Sequence, residues 1–223
     1  KIIAKERWKK GSGEIGVLGV LSAIYGNQPE VADYLFNQGV SPTSRLEDEF
    51  KDPLLHKACL WACPEIVQNI LERGENPNVI NLKGFSGLFR VVPTWKGMED
   101  KWLERKLKVI DILVTHGGEP NHLPNESIVI RDTPLHKALS STCAIAMKLK
   151  SGVVPNGNLS ALDFEIDFEH SPALKICLAL IKHGGNMEFF PLNLRLPEDY
   201  TEEFTPRGKL QELLIQKAEK AAA

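Results

Sequence analysis

The residues of this chain with the greatest potential for chemistry are a histidine and two cysteines. His56, Cys59 and Cys63 fall at helical spacing, so they would share one side of a helix and could together bind zinc. No fourth ligand lies near them in the sequence, and we favour the interpretation that His56 starts a helix while both thiols pack in a core. The sequence pairs neither Cys143 nor Cys177 with an activating base. It therefore predicts no catalytic residue, no metal site and no cofactor.

A second chemically suggestive segment is an acidic run at residues 163–169, in which carboxylates and apolar side chains alternate strictly. In an extended chain this alternation would place the carboxylates, among them Asp163, Glu165 and Asp167, on one face. One hypothesis is an acidic finger that docks on a basic partner surface and speeds association. A divalent-metal site is a weaker alternative, because the run lacks the glycine and the ligand spacing of a calcium loop. The interpretation that we favour is a solvated segment held to the domain by its apolar side chains.

The elements that position these residues come from a repeated sequence unit. The segment Pro53–Ala58 recurs as Thr133–Ala138, and each copy is followed by an amphipathic segment that ends in glycine. After the first copy, apolar residues at helical spacing occur from 66 to 71, and Gly74 then ends the predicted helix. A supersecondary unit repeated along a chain builds a stack of similar layers, and proteins of this kind mostly serve as binding surfaces.

The spacing of the repeats adds a family resemblance. A step of 33 residues from His56 leads to Phe89, at the end of the segment Gly84-Phe85-Ser86-Gly87-Leu88-Phe89. This segment is similar to the ankyrin repeat, a helix-turn-helix plus hairpin unit of about 33 residues, with Ser86 at the family's threonine position and Phe89 at its histidine position. The polar turn positions of the family's hairpin loop are matched by Asn78, Asn81 and Gly84. The resemblance implies an all-α fold, namely an ankyrin-repeat solenoid of about four repeats plus a C-terminal capping helix, with short hairpin loops.

The same resemblance divides the chain into segments. Residues 1–14 would form an N-terminal extension or cap, and residues 15–218 the ankyrin-repeat domain. The predicted repeats lie near 15–48, 52–84, 85–130 and 132–190, followed by a cap at 199–220 and a tail at 219–223 that we interpret as vector-derived. Offsets between the units place about ten extra residues between Pro93 and Arg105, and about thirty within the fourth unit.

The residues that form the family's hydrogen bond at the start of the inner helix are present in only some of the predicted repeats. In its repeats a threonine hydroxyl and a histidine ring form hydrogen bonds around the start of the inner helix, which implies such a bond between Thr133 and His136. Pro53 occupies the corresponding threonine position, so the sequence does not decide whether His56 forms a hydrogen bond of this kind. Each predicted outer helix ends in a glycine preceded by a cation that complements the helix dipole: Arg73-Gly74, His116-Gly117 and His183-Gly184.

The positions that the family leaves variable are those at which we expect partner binding. They are the last residues of the inner helices and the hairpin tips, which line the concave face: Tyr25, Leu60, Trp61, Ile80, Lys83 and Phe85. Apolar and aromatic groups at these positions serve neither helix formation nor inter-repeat packing in the consensus, and exposed apolar clusters usually mark interaction sites. Burial of these side chains under the neighbouring inserts is the competing interpretation. Trp95, in the ten-residue insert, is a further candidate, because tryptophan is enriched at binding hot spots.

Composition argues against other classes of protein. The chain of 223 residues has a net charge of −2 and a pI near 6.4, whereas nucleic-acid-binding domains are strongly basic. No apolar run has the length of a transmembrane helix. Four cysteines within apolar helical patterns predict reduced, buried thiols of a cytosolic-type protein.

These observations predict a non-enzymatic module that binds a protein partner through its concave face and hairpin tips, in the cytoplasm or nucleus. The alternative is a substrate-recruiting ankyrin domain of a larger enzyme, such as a secreted bacterial effector that acts on host proteins in the host-cell cytosol. The sequence leaves the identity of the partner and the oligomeric state open.

Overall fold

A computed structural model describes residues 14–94, 98–123, 133–138, 171–186 and 216 of the chain. Over these ranges the chain is helical, and its β-type pairing is an isolated antiparallel bridge between Arg45 and Pro53. Residues 134–138 are also helical. The named helices are α1 (Glu14–Tyr25), α2 (Pro29–Asn37), α3 (Leu54–Leu60), α4 (Pro64–Glu72), α5 (Gly87–Val91), α6 (Asp100–Thr115) and α7 (Pro172–Lys182). The predicted all-α class is confirmed.

The helices pack in pairs that follow one another along the chain. α1 packs against α2, α3 against α4, and α5 against α6. The first members of the pairs, α1, α3 and α5, also contact one another in succession, as do α2, α4, α6 and α7. The apolar stripe predicted between residues 66 and 71 faces this core, since Ile66, Val67, Ile70 and Leu71 are all buried. Each such burial contributes roughly 1.5–3 kcal/mol, so the stripe fixes which side of α4 turns inward.

Short polar side chains begin several of these helices, as the repeat predicts. The Ser86 hydroxyl accepts a hydrogen bond from the Phe89 backbone N–H at 3.4 Å and so caps α5. At the recurring segment the Thr133 hydroxyl lies 2.8 Å from His136 Nδ1, which confirms the expected bond. For His56, where proline replaces threonine, Nδ1 forms no such hydrogen bond, and Asp52 Oδ1 lies 3.6 Å from it.

Left-handed glycines end the outer helices. The φ angles of Gly39, Gly74, Gly117 and Gly184 are 98°, 94°, 90° and 87°, a region that side chains with a Cβ rarely adopt. The predicted helix ends are therefore confirmed. The cations before them act differently from one another: His116 Nδ1 donates to the Ile112 carbonyl at 2.9 Å, whereas Arg73 pairs sideways with Asp33 at 2.6 Å.

Two asparagines make equivalent connections between successive pairs. Asn78 donates to the Gly117 carbonyl at 2.9 Å and accepts from the Glu119 N–H at 2.8 Å. Asn121 makes the same two bonds with residues 184–186, at 2.9 and 2.7 Å. We call these the asparagine latches. Because both latches bond to backbone, they depend on the course of the neighbouring loop more than on its side chains.

The ten-residue insert is in part an extension of an outer helix. α6 has 16 residues and α4 has 9, and because both end at the same distance before their glycine, the seven additional residues lie at the start of α6. The insert follows an inner helix of only five residues, α5. The Lys106 ammonium, fully buried, donates to the Val91 carbonyl at 2.6 Å and so caps the end of α5.

Candidate functional site

Three aromatic side chains form a row where the inner helices end. The Tyr25 and Trp61 ring centroids are 5.0 Å apart with planes at 61°, and those of Trp61 and Trp102 are 6.3 Å apart. Tyr25 ends α1 and Trp61 follows α3, so these two occupy similar places in successive helix pairs, while Trp102 comes from the extension of α6. Tyr25 is 50% exposed and Trp61 38% exposed, whereas Trp102 is half-buried. We call Tyr25, Trp61 and Trp102 the aromatic row.

Arg105 holds this row against the turns beneath it. Its guanidinium lies 4.9 Å from the Trp102 ring centroid, a cation–π contact. The same group donates to the Ala62 carbonyl at 2.6 Å and to the Asn27 side-chain oxygen at 2.8 Å. Asn27 and Ala62 lie in the two turns that connect inner to outer helices, with φ angles of 47° and 49°. One side chain therefore fixes two turns and the ring that packs beside them.

The predicted residues Ile80, Lys83 and Phe85 form a second group, on the loop that precedes α5. Asn81 Oδ1 accepts from the backbone N–H groups of Lys83 and Phe85, at 2.9 and 3.0 Å, so both are held in a tight turn. The Lys83 ammonium lies 4.2 Å from the Phe50 ring centroid, and Phe85 stacks on Phe89 with centroids 4.2 Å apart. We call Phe50, Ile80, Lys83 and Phe85 the hairpin group.

Asp52, which is fully buried, anchors the hairpin group from below. Its carboxylate accepts from Asn81 at 2.8 Å and pairs with Lys57 and with Arg90, each at 2.9 Å. Burial opposes ionisation of this carboxyl, but the neighbouring His56 ring, the bonds from Asn81 and Lys57 and the charge of Arg90 outweigh it and hold the Asp52 pKa below its ordinary value. The turn that carries Lys83 and Phe85 is thus tied to an ionised, buried carboxylate.

The predicted residues therefore lie at two ends of the inner helices. The hairpin group lies where these helices begin, and the aromatic row lies where they end. The seven residues of α3 lie between the hairpin group and the aromatic row, a distance of about 10 Å at the rise of an α-helix. Leu60, at the end of α3, is half-buried. The remaining candidates, Trp95, Asp163, Glu165 and Asp167, lie outside the described residues.

The histidine and cysteines that resemble zinc ligands have separate surroundings. His56 Nε2 donates to the Val79 carbonyl at 2.9 Å, and the Cys63 thiol donates to the Ile24 carbonyl at 3.2 Å. Across the ranges that the structure describes, no group of three or more His, Cys, Asp or Glu is placed to hold a metal. Burial raises the pKa of Cys59, and raises that of Cys63 to about 11 although Arg105 opposes the shift. Both thiols are protonated at neutral pH and are weak nucleophiles.

Sequence reasoning missed two residues that organise these surfaces. Arg105 was placed at the edge of an insert, and its spacing of three from Trp102, which puts both on one side of a helix, was the available signal. Asp52 directly precedes the recurring segment, and nothing in the sequence near it distinguishes a buried carboxylate from a solvated one. Its partners come from residues 57, 81 and 90, which only the fold brings together.

Comparison with known proteins gives one family match. Residues 50–79 match the family model of the ankyrin repeat. This range runs from the hairpin before α3 to the loop after α4, and it includes Trp61 and Asp52. No curated protein matches the chain significantly. In the part of the chain that the structure describes, no helix has the length and apolar character needed to cross a membrane.

Proposed function

Because the chain carries an ankyrin repeat, and such repeats generally mediate protein–protein interaction, we propose that it is a binding module for a protein partner. The partner contacts the aromatic row and the hairpin group, which lie at the two ends of the inner helices on the concave face of a solenoid of about four repeats. The observation that carries this proposal is the partial exposure of Tyr25 and Trp61 in direct ring contact.

The aromatic row has the properties of an interaction hot spot. Tryptophan and tyrosine are enriched among the residues that dominate binding energies, and they bury large areas with few rotatable bonds. Trp61 packs between Tyr25 and Trp102, so its ring is held before a partner arrives. Such preorganisation reduces the entropy lost on binding.

The hairpin group adds both a charged and an apolar side chain to the surface formed by the aromatic row. Lys83 is exposed and lies over Phe50, while Phe85 is half-buried against Phe89. A partner segment that reaches both surfaces spans an inner helix, about 10 Å long. We therefore expect an extended segment or a helix of the partner, with an apolar side chain at the aromatic row and a polar one beside Lys83.

The test begins with affinity capture by the full chain, followed by mass spectrometry to identify the partner. Binding of that partner is then measured for the wild type and for Trp61→Ala, Phe85→Ala and the double variant. We expect Trp61→Ala to weaken binding by about 2 kcal/mol, or roughly 30-fold, as for other hot-spot residues. Tyr34→Ala is the matched control, because Tyr34 is a 60% exposed aromatic residue outside both surfaces.

Two results decide the outcome. Loss of binding for Trp61→Ala and Phe85→Ala with normal binding for Tyr34→Ala supports the proposal. Unchanged partner recovery by a double variant that keeps its helical circular dichroism and its urea midpoint would sink the claim for these surfaces.

Two described cysteines support a reducing location for this module. Cys59 and Cys63 are free and buried. Free buried thiols are typical of proteins from the cytoplasm or nucleus. Thiol titration of the unfolded chain purified under alkylating conditions tests this part of the proposal, since oxidised cysteines would contradict it.

A further inference from the structure

Arg105 carries a positive charge that no carboxylate within the described residues compensates. Its Nε and Nη2 atoms donate to the carbonyls of Ala62 and Trp61 and to the side-chain oxygen of Asn27, at 2.6, 3.3 and 2.8 Å. These neutral oxygens satisfy the donors without cancelling the charge, and the helix ends nearby supply only partial negative charge. The other terminal nitrogen, Nη1, has no hydrogen-bond partner in the described part of the chain, and the side chain is half-buried rather than enclosed. Nη1 is therefore left to bond to a partner.

A second cation on the same side of α6 adds to this charge. Lys101 precedes Arg105 by four residues, so the two share one side of the helix, and Lys101 is exposed. Glu104, the acidic residue closest to Arg105 in the sequence, is turned about 100° away from it around the helix. Further along α6, the Lys108 ammonium lies 3.5 Å from the Glu65 carboxylate and is already paired. The excess of positive charge on this helix is therefore located at Lys101 and Arg105.

This charge adjoins the aromatic row directly. The Arg105 guanidinium lies 4.9 Å from the Trp102 ring centroid, and the Trp102 and Trp61 centroids are 6.3 Å apart. A partner that covers the exposed part of Trp61 therefore also removes water from around Arg105. A cation that loses water without gaining a counter-charge opposes binding. The geometry thus favours a partner that brings negative charge to this point.

We propose that the partner segment bound at the aromatic row is acidic. An aspartate or glutamate of the partner pairs with Arg105 Nη1, and an apolar side chain beside it packs on Trp61 and Tyr25. The inference rests on the proposed function and adds the chemical class of the partner. A carboxylate is the protein group that matches a guanidinium best, and hydrogen bonds between two ions are roughly twice as strong as neutral ones.

The distances in the site also limit the spacing within the partner. The carboxylate and the apolar side chain must be separated by about the distance between Arg105 and the neighbouring rings, which is 4.9 Å for Trp102. Side chains on one face of an extended segment are two residues apart, or about 7 Å, and those on one face of a helix are three or four residues apart, or about 5–6 Å. The acidic residue therefore lies within four residues of the apolar one.

Selection from random peptides tests the class of partner. Phage that display peptides of about 12 residues, roughly 40 Å when extended, are selected on the immobilised full chain and sequenced. Phage that also bind the Trp61→Ala chain are removed, so the remaining peptides depend on the aromatic row. We expect these peptides to carry Asp or Glu within four residues of an aromatic or large aliphatic residue at least about 5-fold more often than the unselected library.

A double-mutant cycle assigns the acidic residue to Arg105. A selected peptide, and the same peptide with its acidic residue replaced by the corresponding amide, are titrated into wild type and Arg105→Gln by fluorescence anisotropy. In wild type the amide form should bind about 10-fold more weakly, as expected for a lost bond between charged groups, and in Arg105→Gln the two forms should bind equally. Lys108→Gln is the matched control. It removes one charge from the same helix at an ion pair that is already formed, so it should keep the 10-fold difference.

The test does not depend on whether Arg105→Gln folds normally. On the wild-type chain alone, 0.5 M salt should reduce the difference between the acidic and amide peptides to less than about 3-fold, because charge attraction is screened. Arg105→Lys keeps the charge without the planar guanidinium and should retain part of the preference for the acidic peptide. Circular dichroism and the urea midpoint of each variant show whether the two turns that Arg105 fixes are intact.

Four results would overturn the proposal. One is a set of Trp61-dependent peptides without enriched acidic residues, and this result leaves the proposed function standing. Another is an equal loss for the amide peptide in wild type and in folded Arg105→Gln, since it would assign the acidic residue to another part of the chain. A third is the absence of any Trp61-dependent peptide. The fourth is self-association of wild type, measured by sedimentation, that Trp61→Ala abolishes, since it would assign the row to a second copy. Binding of the captured partner to Trp61→Ala decides the proposed function separately.

Discussion

At the scale of single residues, the carboxylate of Asp52 links two successive helix pairs. It lies before α3, yet Asn81 and Arg90 belong to the loop and helix of the next pair. Asp48, which is partly exposed, shares Lys57 with it, at 2.8 Å. Removal of one member of a buried ion pair leaves charged partners without compensation, and this is among the largest effects of single substitutions.

We predict that Asp52→Ala lowers the free energy of unfolding by about 3–5 kcal/mol, measured by urea unfolding. Asp48→Ala, the control, should lower it by only about 1–2 kcal/mol, because that carboxylate is partly exposed and gives up one ion pair with Lys57 and one hydrogen bond from the Asp52 backbone N–H. The Asp52 pKa is lowered in the fold, so its contribution is present above the ordinary pKa of an aspartate and is lost as pH falls through the folded value. Wild type should therefore lose stability below about pH 4 more steeply than Asp52→Asn. Equal acid slopes would contradict this role.

Lys51 carries local backbone strain in the same hairpin. Its φ angle is 46°, whereas the corresponding position of the next unit is Gly84, with φ 73°. A left-handed conformation costs a residue with a Cβ about 1–2 kcal/mol. We predict that Lys51→Gly raises the free energy of unfolding by about 1 kcal/mol, after the greater backbone entropy of glycine in the unfolded chain is included. Lys51→Ala removes the same side chain but keeps the strain, so it should show no gain in the same urea measurement.

At the scale of elements, the extended helix α6 compensates for the short inner helix of the third predicted repeat. α5 has only five residues, and the Lys106 ammonium caps its last carbonyl from inside the core. Desolvation lowers the pKa of Lys106 to about 8, although the nearby Cys59 opposes the shift. A lysine so buried favours its neutral form more in the fold than in the unfolded chain.

This shift predicts a pH dependence of the same sign as that of Asp52, but in the alkaline range. Between about pH 8 and pH 10.5 the unfolded chain binds more protons at Lys106 than the folded chain, so stability rises with pH there. The gain is on the order of 3 kcal/mol, from 1.36 kcal/mol for each pKa unit. Urea unfolding from pH 7 to pH 10 should show this rise in wild type relative to Lys106→Met. Lys101→Met, an exposed change on the same helix, should follow wild type.

Elements with a local sequence signal were predictable, and those that depend on distant partners were not. Gly74 ends α4 and Thr133 bonds to His136 because each needs only its own turn of chain. Lys106 and Arg105 carry charges that normally face water. The burial of Lys106 and the contacts of Arg105 with two turns therefore become evident only once α6 is packed on the preceding helices. For the same reason the predicted concave cluster becomes two surfaces, since Trp61 and Phe85 lie close in repeat position but at different ends of a helix.

At the scale of the whole molecule, the asparagine latches make neighbouring helix pairs depend on each other. Asn78 joins the loop after α4 to the loop after α6, and Asn121 joins the latter to the loop after α7. If each pair interacts only with its neighbours, its stability is the sum of its own term and its interface terms. Loss of one latch should then destabilise only the neighbouring helix pairs, and amide hydrogen exchange can show how far along the chain the destabilisation extends.

We predict that Asn121→Ala increases amide exchange in α7 (Pro172–Lys182) by roughly 30-fold, since two hydrogen bonds are worth about 2 kcal/mol together. Exchange in α1 to α4 should stay unchanged, because none of these helices contacts the altered latch. Asn78→Ala is the matched variant one junction earlier, and its effect should extend to α6 as well as α7. An equal increase from α1 to α7 in either variant would show that the chain unfolds as one cooperative unit. The extent of the affected region thus distinguishes a stack of neighbours from a single core, which no individual contact distance can do.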